Sequence, residues 1–66
     1  MLLHYRIDLR HLNACEQSKV ISYIEPRVET NLVAEGNTGF YTFFLDENIN
    51  PESVIPAGVP VPRQIQ

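Results

Sequence analysis

Only one cysteine, Cys15, is present, so no disulfide can close within the chain. With His4 and His11 it makes too small a set of soft ligands for a closed tetrahedral zinc site. Basic residues are scarce as well: five Lys and Arg stand against eight Asp and Glu, for a net charge of −3. An acidic chain lacks the positive footprint that duplex nucleic acid demands. No apolar run approaches the length needed to cross a bilayer, so no membrane partner is expected. No apolar stretch follows a basic start, and a lone cysteine fits a reducing compartment. The expectation is a soluble, cytoplasmic protein.

What remains is short. A chain of 66 residues is read as one domain. Folding at this size removes only about 60% of the unfolded chain's surface from water. A single core then contributes roughly 3–5 kcal/mol, and small proteins add a disulfide, a metal or a second chain. With the first two set aside, oligomerisation is the stabiliser left. The composition, 44% hydrophobic and 20% charged, is that of a globular domain rather than a disordered one. Charge is unevenly spread. Residues 1–27 hold Arg6, Arg10, Lys19 and Arg27 against Asp8, Glu16 and Glu25. Residues 28–66 hold Arg63 alone against Glu29, Glu35, Asp46, Glu47 and Glu52.

Periodicity supplies the elements. Leu3, Tyr5, Ile7 and Leu9 alternate with His4, Arg6, Asp8 and Arg10, the period of two of a half-buried strand. Asn13, with Glu16 three residues on, has the form of a capping box at a helix start. Ala14, Gln17, Ile21 and Ile24 share one helical face, widened by Val20, and Pro26 is expected to stop the helix at Glu25. Residues 28–35 alternate again and read as a second strand. The Glu35-Gly36-Asn37-Thr38-Gly39 stretch is turn chemistry, and residues 40–45 form a third strand, closing a hairpin. Asn50-Pro51-Glu52 signals a short helical turn, and residues 57–66 read as extended because Pro60 and Pro62 fix φ and remove donors. The expected fold is α+β: a β-α-β-β core over residues 1–48, one helix on a three-stranded sheet. Residues 49–66 add a helical turn and a proline-containing extended tail to the same domain.

The third strand raises the functional question, because both its faces are apolar. Tyr41, Phe43 and Leu45 suit the space under the helix. Phe40, Thr42 and Phe44 then face away, beside His4, Arg6 and Arg10. One helix cannot cover both faces, and exposed phenylalanines of this kind call for a covering surface. The tail could fold back and lay Val59 and Val61 over them. A second copy could pack there, or a different protein or nucleic acid could dock.

Candidate chemistry is sparse. Cys15 near a helix start, with His11 and Asp8 upstream, can be written as a nucleophile arrangement, but the spacing is not diagnostic and the bland reading is a small helix residue. The helix N-terminus, with Arg10 and His11 near, could take an anion, although Glu16 already occupies that positive end. His4 and Asp8 lie about 13 Å apart along a strand and cannot share a metal. Asp46, Glu47, Asn48 and Asn50 lack the glycine of a calcium loop. No phosphate-cradling glycine loop is present, and Gly39-Phe40-Tyr41 lacks the basic residue and second glycine of an RNA-recognition strand. In length and strand-helix-strand order the chain resembles tautomerases of the oxalocrotonate type, whose catalytic residue is an N-terminal proline. Here position 2 is Leu2 and the first proline is Pro26, so no residue carries across.

The expectation is therefore a small non-catalytic protein–protein interaction domain without cofactor or metal, an adaptor, inhibitor or small subunit that associates with itself or with another protein. Its contact surface is expected at Phe40, Phe44, His4, Arg6, Ile55, Val59 and Val61. The alternative is a module for single-stranded nucleic acid or a small anion, using the open sheet face and the helix N-terminus.

Overall fold

A computed structural model describes residues 1–65. Strand β1 (Leu2–Asp8) leads into helix α1 (Ala14–Ile24), followed by strands β2 (Val33–Ala34), β3 (Phe40–Asp46) and β4 (Arg63–Ile65). They form one antiparallel sheet in the order β2-β3-β1-β4. The class is α+β, with four strands in place of the three expected.

The β1–β3 ladder is the centre. Its register sets Leu3 opposite Leu45, Tyr5 opposite Phe43 and Ile7 opposite Tyr41. Residues opposite one another share a face, so these six point one way. Tyr5, Ile7, Leu9, Phe43 and Leu45 are buried there with Ile24 of the helix and Val54 of the tail. Each such side chain contributes on the order of 1.5–3 kcal/mol of burial.

The helix starts as its sequence implies. Asn13 Oδ1 accepts from the Glu16 amide at 2.8 Å, and Glu16 Oε1 accepts from the Asn13 amide at 3.0 Å. Gln17, Val20, Ile21 and Ile24 turn inward, whereas Ala14 is exposed. Gln17 is polar yet belongs inside. Its Nε2 donates to the carbonyls of Leu9 and Leu12, and its Oε1 accepts from the Tyr41 hydroxyl, which ties the helix to both central strands. The α-helix stops at Ile24 with Glu25 as its C-cap, where Pro26 is expected to end it. Glu25 keeps α geometry, and a 3₁₀ turn continues over Glu25–Arg27 before Val28 extends.

The second strand is shorter than its alternation suggests. Only Val33 and Ala34 pair with β3. Upstream, the Thr30 hydroxyl accepts from the Phe44 amide in place of a backbone carbonyl, and the Leu32 amide is held by the Glu25 carboxylate. These bonds pull the chain out of ladder geometry while Leu32 packs against the core.

The tail corrects a second expectation. Only Pro60 and Val61 reach the outer face, at its Phe40 end, and Val59 does not lie over the phenylalanines. A 3₁₀ turn at Pro51–Val54, capped by the Asn50 side chain, inserts Val54 into the core, and Ile49, Ile55 and Val59 pack beside it on the helix side. The chain then turns at Gly58, buries Pro62 and pairs β4 to the free edge of β1.

Gly39 fixes the junction between the β2–β3 turn and the end of β1. Its φ is +86°, and a Cβ there would lie 2.9 Å from Arg10 Cγ and 3.2 Å from Arg10 Cα. Its carbonyl accepts from the Leu9 amide at 2.9 Å. Gly39→Ala is expected to lower stability by about 2 kcal/mol, from left-handed backbone strain together with the close approach. Urea unfolding checks this, and Gly36→Ala, whose Cβ would meet nothing within 4 Å, separates the strain from the clash.

Candidate functional interface on the outer sheet face

The face away from the helix is built by the other half of the same register. His4 stands opposite Phe44, Arg6 opposite Thr42, Asp8 opposite Phe40, and Leu2 opposite Asp46. β2 adds Val33 beside Thr42. β4 adds Ile65 beside His4 and Arg63 beside Arg6. Leu2, Val33 and Phe44 remain exposed, at 47%, 62% and 38%. β1, β2 and β3 thus each leave an apolar side chain exposed on this face, and half-buried Ile65 of β4 lies beside His4.

The aromatic rings on this face have partners from their own chain. His4 and Phe44 stack with centroids 4.3 Å apart and planes within 7°. The Arg6 guanidinium lies 3.9 Å from the Phe40 ring centroid and that of Arg10 4.6 Å. Each guanidinium is also held by a carboxylate. Arg6 donates from Nε and a terminal nitrogen to Glu35 at 2.8 and 3.2 Å. Arg10 donates to both oxygens of Asp8 at 3.0 and 2.9 Å, and its amide donates to Oδ1 at 2.9 Å. These bonds, side chain first, hold the Asp8 carboxyl down at about 2 and raise Arg10 further above its ordinary value.

Arg63 has no ion-pair partner among the described residues. With Arg6, Asp8, Arg10, Phe40, Pro60 and Val61 it lines a groove of about 410 Å³ at the Phe40 end of the face. Like charges opposite one another on a ladder are unfavourable, and Arg63 faces Arg6 across the β1–β4 pair.

Of the expected contact residues, Phe40, Phe44, His4 and Arg6 come together on this face, and Val61 forms part of the groove wall. Ile55 and Val59 are elsewhere, packed against the core. Arg63 and Ile65 join the face without a local signal, since β1 lies far away in sequence. The alternation of Gln64-Ile65-Gln66 after Pro62 was the one hint of a strand.

The other candidate sites gain nothing from the geometry. Asp8, the third member of the Cys15–His11–Asp8 arrangement, has both oxygens taken by Arg10, and no hydrogen bond links the three among the described residues. The helix N-terminus is filled by its own capping box. Among the described residues no group of three or more His, Cys, Asp or Glu converges as a metal site, and no helix is long and apolar enough to cross a membrane.

Comparison with protein-family models, with curated proteins and with solved structures finds no match.

The depressed Asp8 carboxyl gives a local readout of the face. Carboxyl chemical shifts followed by NMR against pH should show Asp8 losing its charge near pH 2. Asp8 binds its proton less readily when folded. Its contribution is therefore present above the ordinary carboxyl value and is lost as pH falls through about 2. In Arg10→Ala the Asp8 transition should move up toward the ordinary value. A transition that stays in place would mean that Arg10 does not hold it.

Proposed function

We propose that this chain is a protein–protein interaction domain that associates with itself through the outer face of its sheet. One observation carries the reading: the face holds Leu2, Val33 and Phe44 exposed, with His4, Phe40 and Ile65 among them, and among the described residues only Pro60 and Val61 reach it, at the Phe40 end. The tail supports the same conclusion by being spent on the core and on the β1 edge. A small domain with one helix gains more from covering this face with another chain than from leaving it wet. An adaptor, inhibitor or small-subunit role follows from such a surface, and no catalytic group is assigned.

The test is assembly. Phe40→Thr together with Phe44→Thr keeps strand-compatible side chains but removes both rings. Aromatic anchors at the centre of an interface commonly contribute 2 kcal/mol or more, so the dissociation constant from sedimentation equilibrium should rise about thirtyfold. Far-UV circular dichroism should be unchanged. A mass profile identical to that of the parent chain would remove the outer face as the interface.

A second reading, a module for a small anion, is favoured by the groove, where three guanidiniums gather in an otherwise acidic chain. Titration with inorganic phosphate, followed by amide shifts, should then move Arg6, Arg10, Phe40 and Arg63. The shifts should shrink in Arg63→Gln and at high salt. Unmoved amides across the titration would dispose of this reading. Stacking of single-stranded bases is the less favoured form, since His4 already stacks on Phe44 and two guanidiniums already face Phe40.

A further inference from the structure

The outer face is electrically polarised along its strands. At one end stand Arg6, Arg10 and Arg63, against Asp8 in the groove and Glu35 beside it. That end is positive even with both acids counted. At the other end β3 finishes with Asp46, which lies on the same face opposite Leu2, and Glu47 follows directly. Glu47 accepts the Met1 amino group at 3.3 Å, which leaves the Asp46 charge to set the sign there. Phe40 and Asp46, six residues apart on one strand, put the two ends about 20 Å from each other. The apolar part of the face, His4 stacked on Phe44 with Ile65 beside His4 and Val33 beside Thr42, lies between them.

Resting on the self-association proposed above, we infer that two copies stack outer face to outer face about a twofold axis that crosses the strands. The Arg6–Arg10–Phe40 end of each copy then covers the Asp46 end of the other. The argument is charge complementarity. A twofold axis parallel to the strands would set the positive ends against each other. An axis across the strands reverses their direction, so unlike ends meet twice while the apolar strips meet in the middle. The occupant is a second copy because this chain is itself acidic. With Asp8 and Glu35 counted, the Arg6–Arg10–Arg63 end is +1 within a chain of −3, so the remainder carries −4.

The same geometry bounds the strength. Two strands about 20 Å long, flanked by strands of two and three residues and spaced at roughly 4.8 Å, give a footprint of some 300 Å². That is small beside the ~800 Å² per partner of a standard interface. The dimer is therefore concentration-dependent and weakened by salt.

Charge reversal tests the arrangement. Sedimentation equilibrium at low salt is run on the parent chain, on Arg10→Glu, on Asp46→Lys and on an equimolar mixture of the two variants. Each variant alone places like charges at two sites of the dimer and should dissociate about tenfold or more readily. In the mixture both sites are complementary, and association should return close to that of the parent chain. Arg10→Gln and Asp46→Asn, which keep shape and lose only charge, should fall between; they preserve the test should a reversed variant unfold. A parent dimer that ignores all four substitutions, or a mixture that stays monomeric, would overturn this stacking while leaving self-association intact. A parent chain that is monomeric throughout the dilution series would overturn both.

Discussion

The antiparallel ladder between β1 and β3 is the constraint from which the rest follows. Seven residues of each strand pair without interruption, from Leu2 opposite Asp46 to Asp8 opposite Phe40. A shift of one residue would exchange the two faces entirely. The register is pinned at one end by the Leu9 amide on the Gly39 carbonyl and at the other by the Glu47 amide on the Met1 carbonyl. Between these clamps, Tyr5, Ile7, Phe43 and Leu45 have only one face to occupy, and helix and tail are drawn to it. Leu2, His4, Arg6, Phe40 and Phe44 are sent to the opposite face by the same geometry.

That division explains why so short a chain leaves apolar surface in water. Its covering elements are one helix of eleven residues and a tail that contributes Val54 to the core. Both are consumed by the inner face. Gln17 shows how closely that side is satisfied: among the described residues its three side-chain hydrogen bonds go to groups at the junction of helix and strands. Among the described residues no buried side-chain polar atom lacks a partner. The inner side is finished, and the outer side is where the chain still presents unburied rings.

Local patterns made the central elements legible and missed whatever depended on distant contacts. The alternation in residues 2–9, the Asn13–Glu16 box and the two-faced third strand are each written within a few residues. The shortening of β2 is not, because it depends on the Thr30 hydroxyl reaching the Phe44 amide and on Glu25 holding the Leu32 amide. Nor does the proline pattern disclose that the tail pairs with β1. Prolines at 60 and 62 argue against a central strand but are compatible with the start of a short edge strand, and that is where the chain places them. The candidate face was legible in its phenylalanines, His4 and Arg6. Arg63 and Ile65 were not, because only the β1–β4 pairing brings them there, and Ile55 and Val59 pack on the helix side against the core.

Arg63 is the residue that local rules leave unresolved. On an exposed edge strand an arginine discourages pairing with a stray strand, which accounts for a positive charge there in general. It does not account for that charge standing opposite Arg6. Glu35 offsets Arg6, Asp8 offsets Arg10, and both guanidiniums gain further from the Phe40 ring. Among the described residues the third has none of these. Exposed ion pairs contribute little on their own, so the two satisfied arginines are better understood as holding their shape than as stabilising the fold. What they hold is a cationic, aromatic-floored groove with one guanidinium left over. The rings themselves are already faced by the chain's own His4, Arg6 and Arg10. A flat ligand would have to displace these groups, whereas a carboxylate arriving at the rim would not. A protein surface that brings an acidic group to the groove and apolar side chains to the adjoining strip meets both requirements at once, and the opposite end of this same face is such a surface.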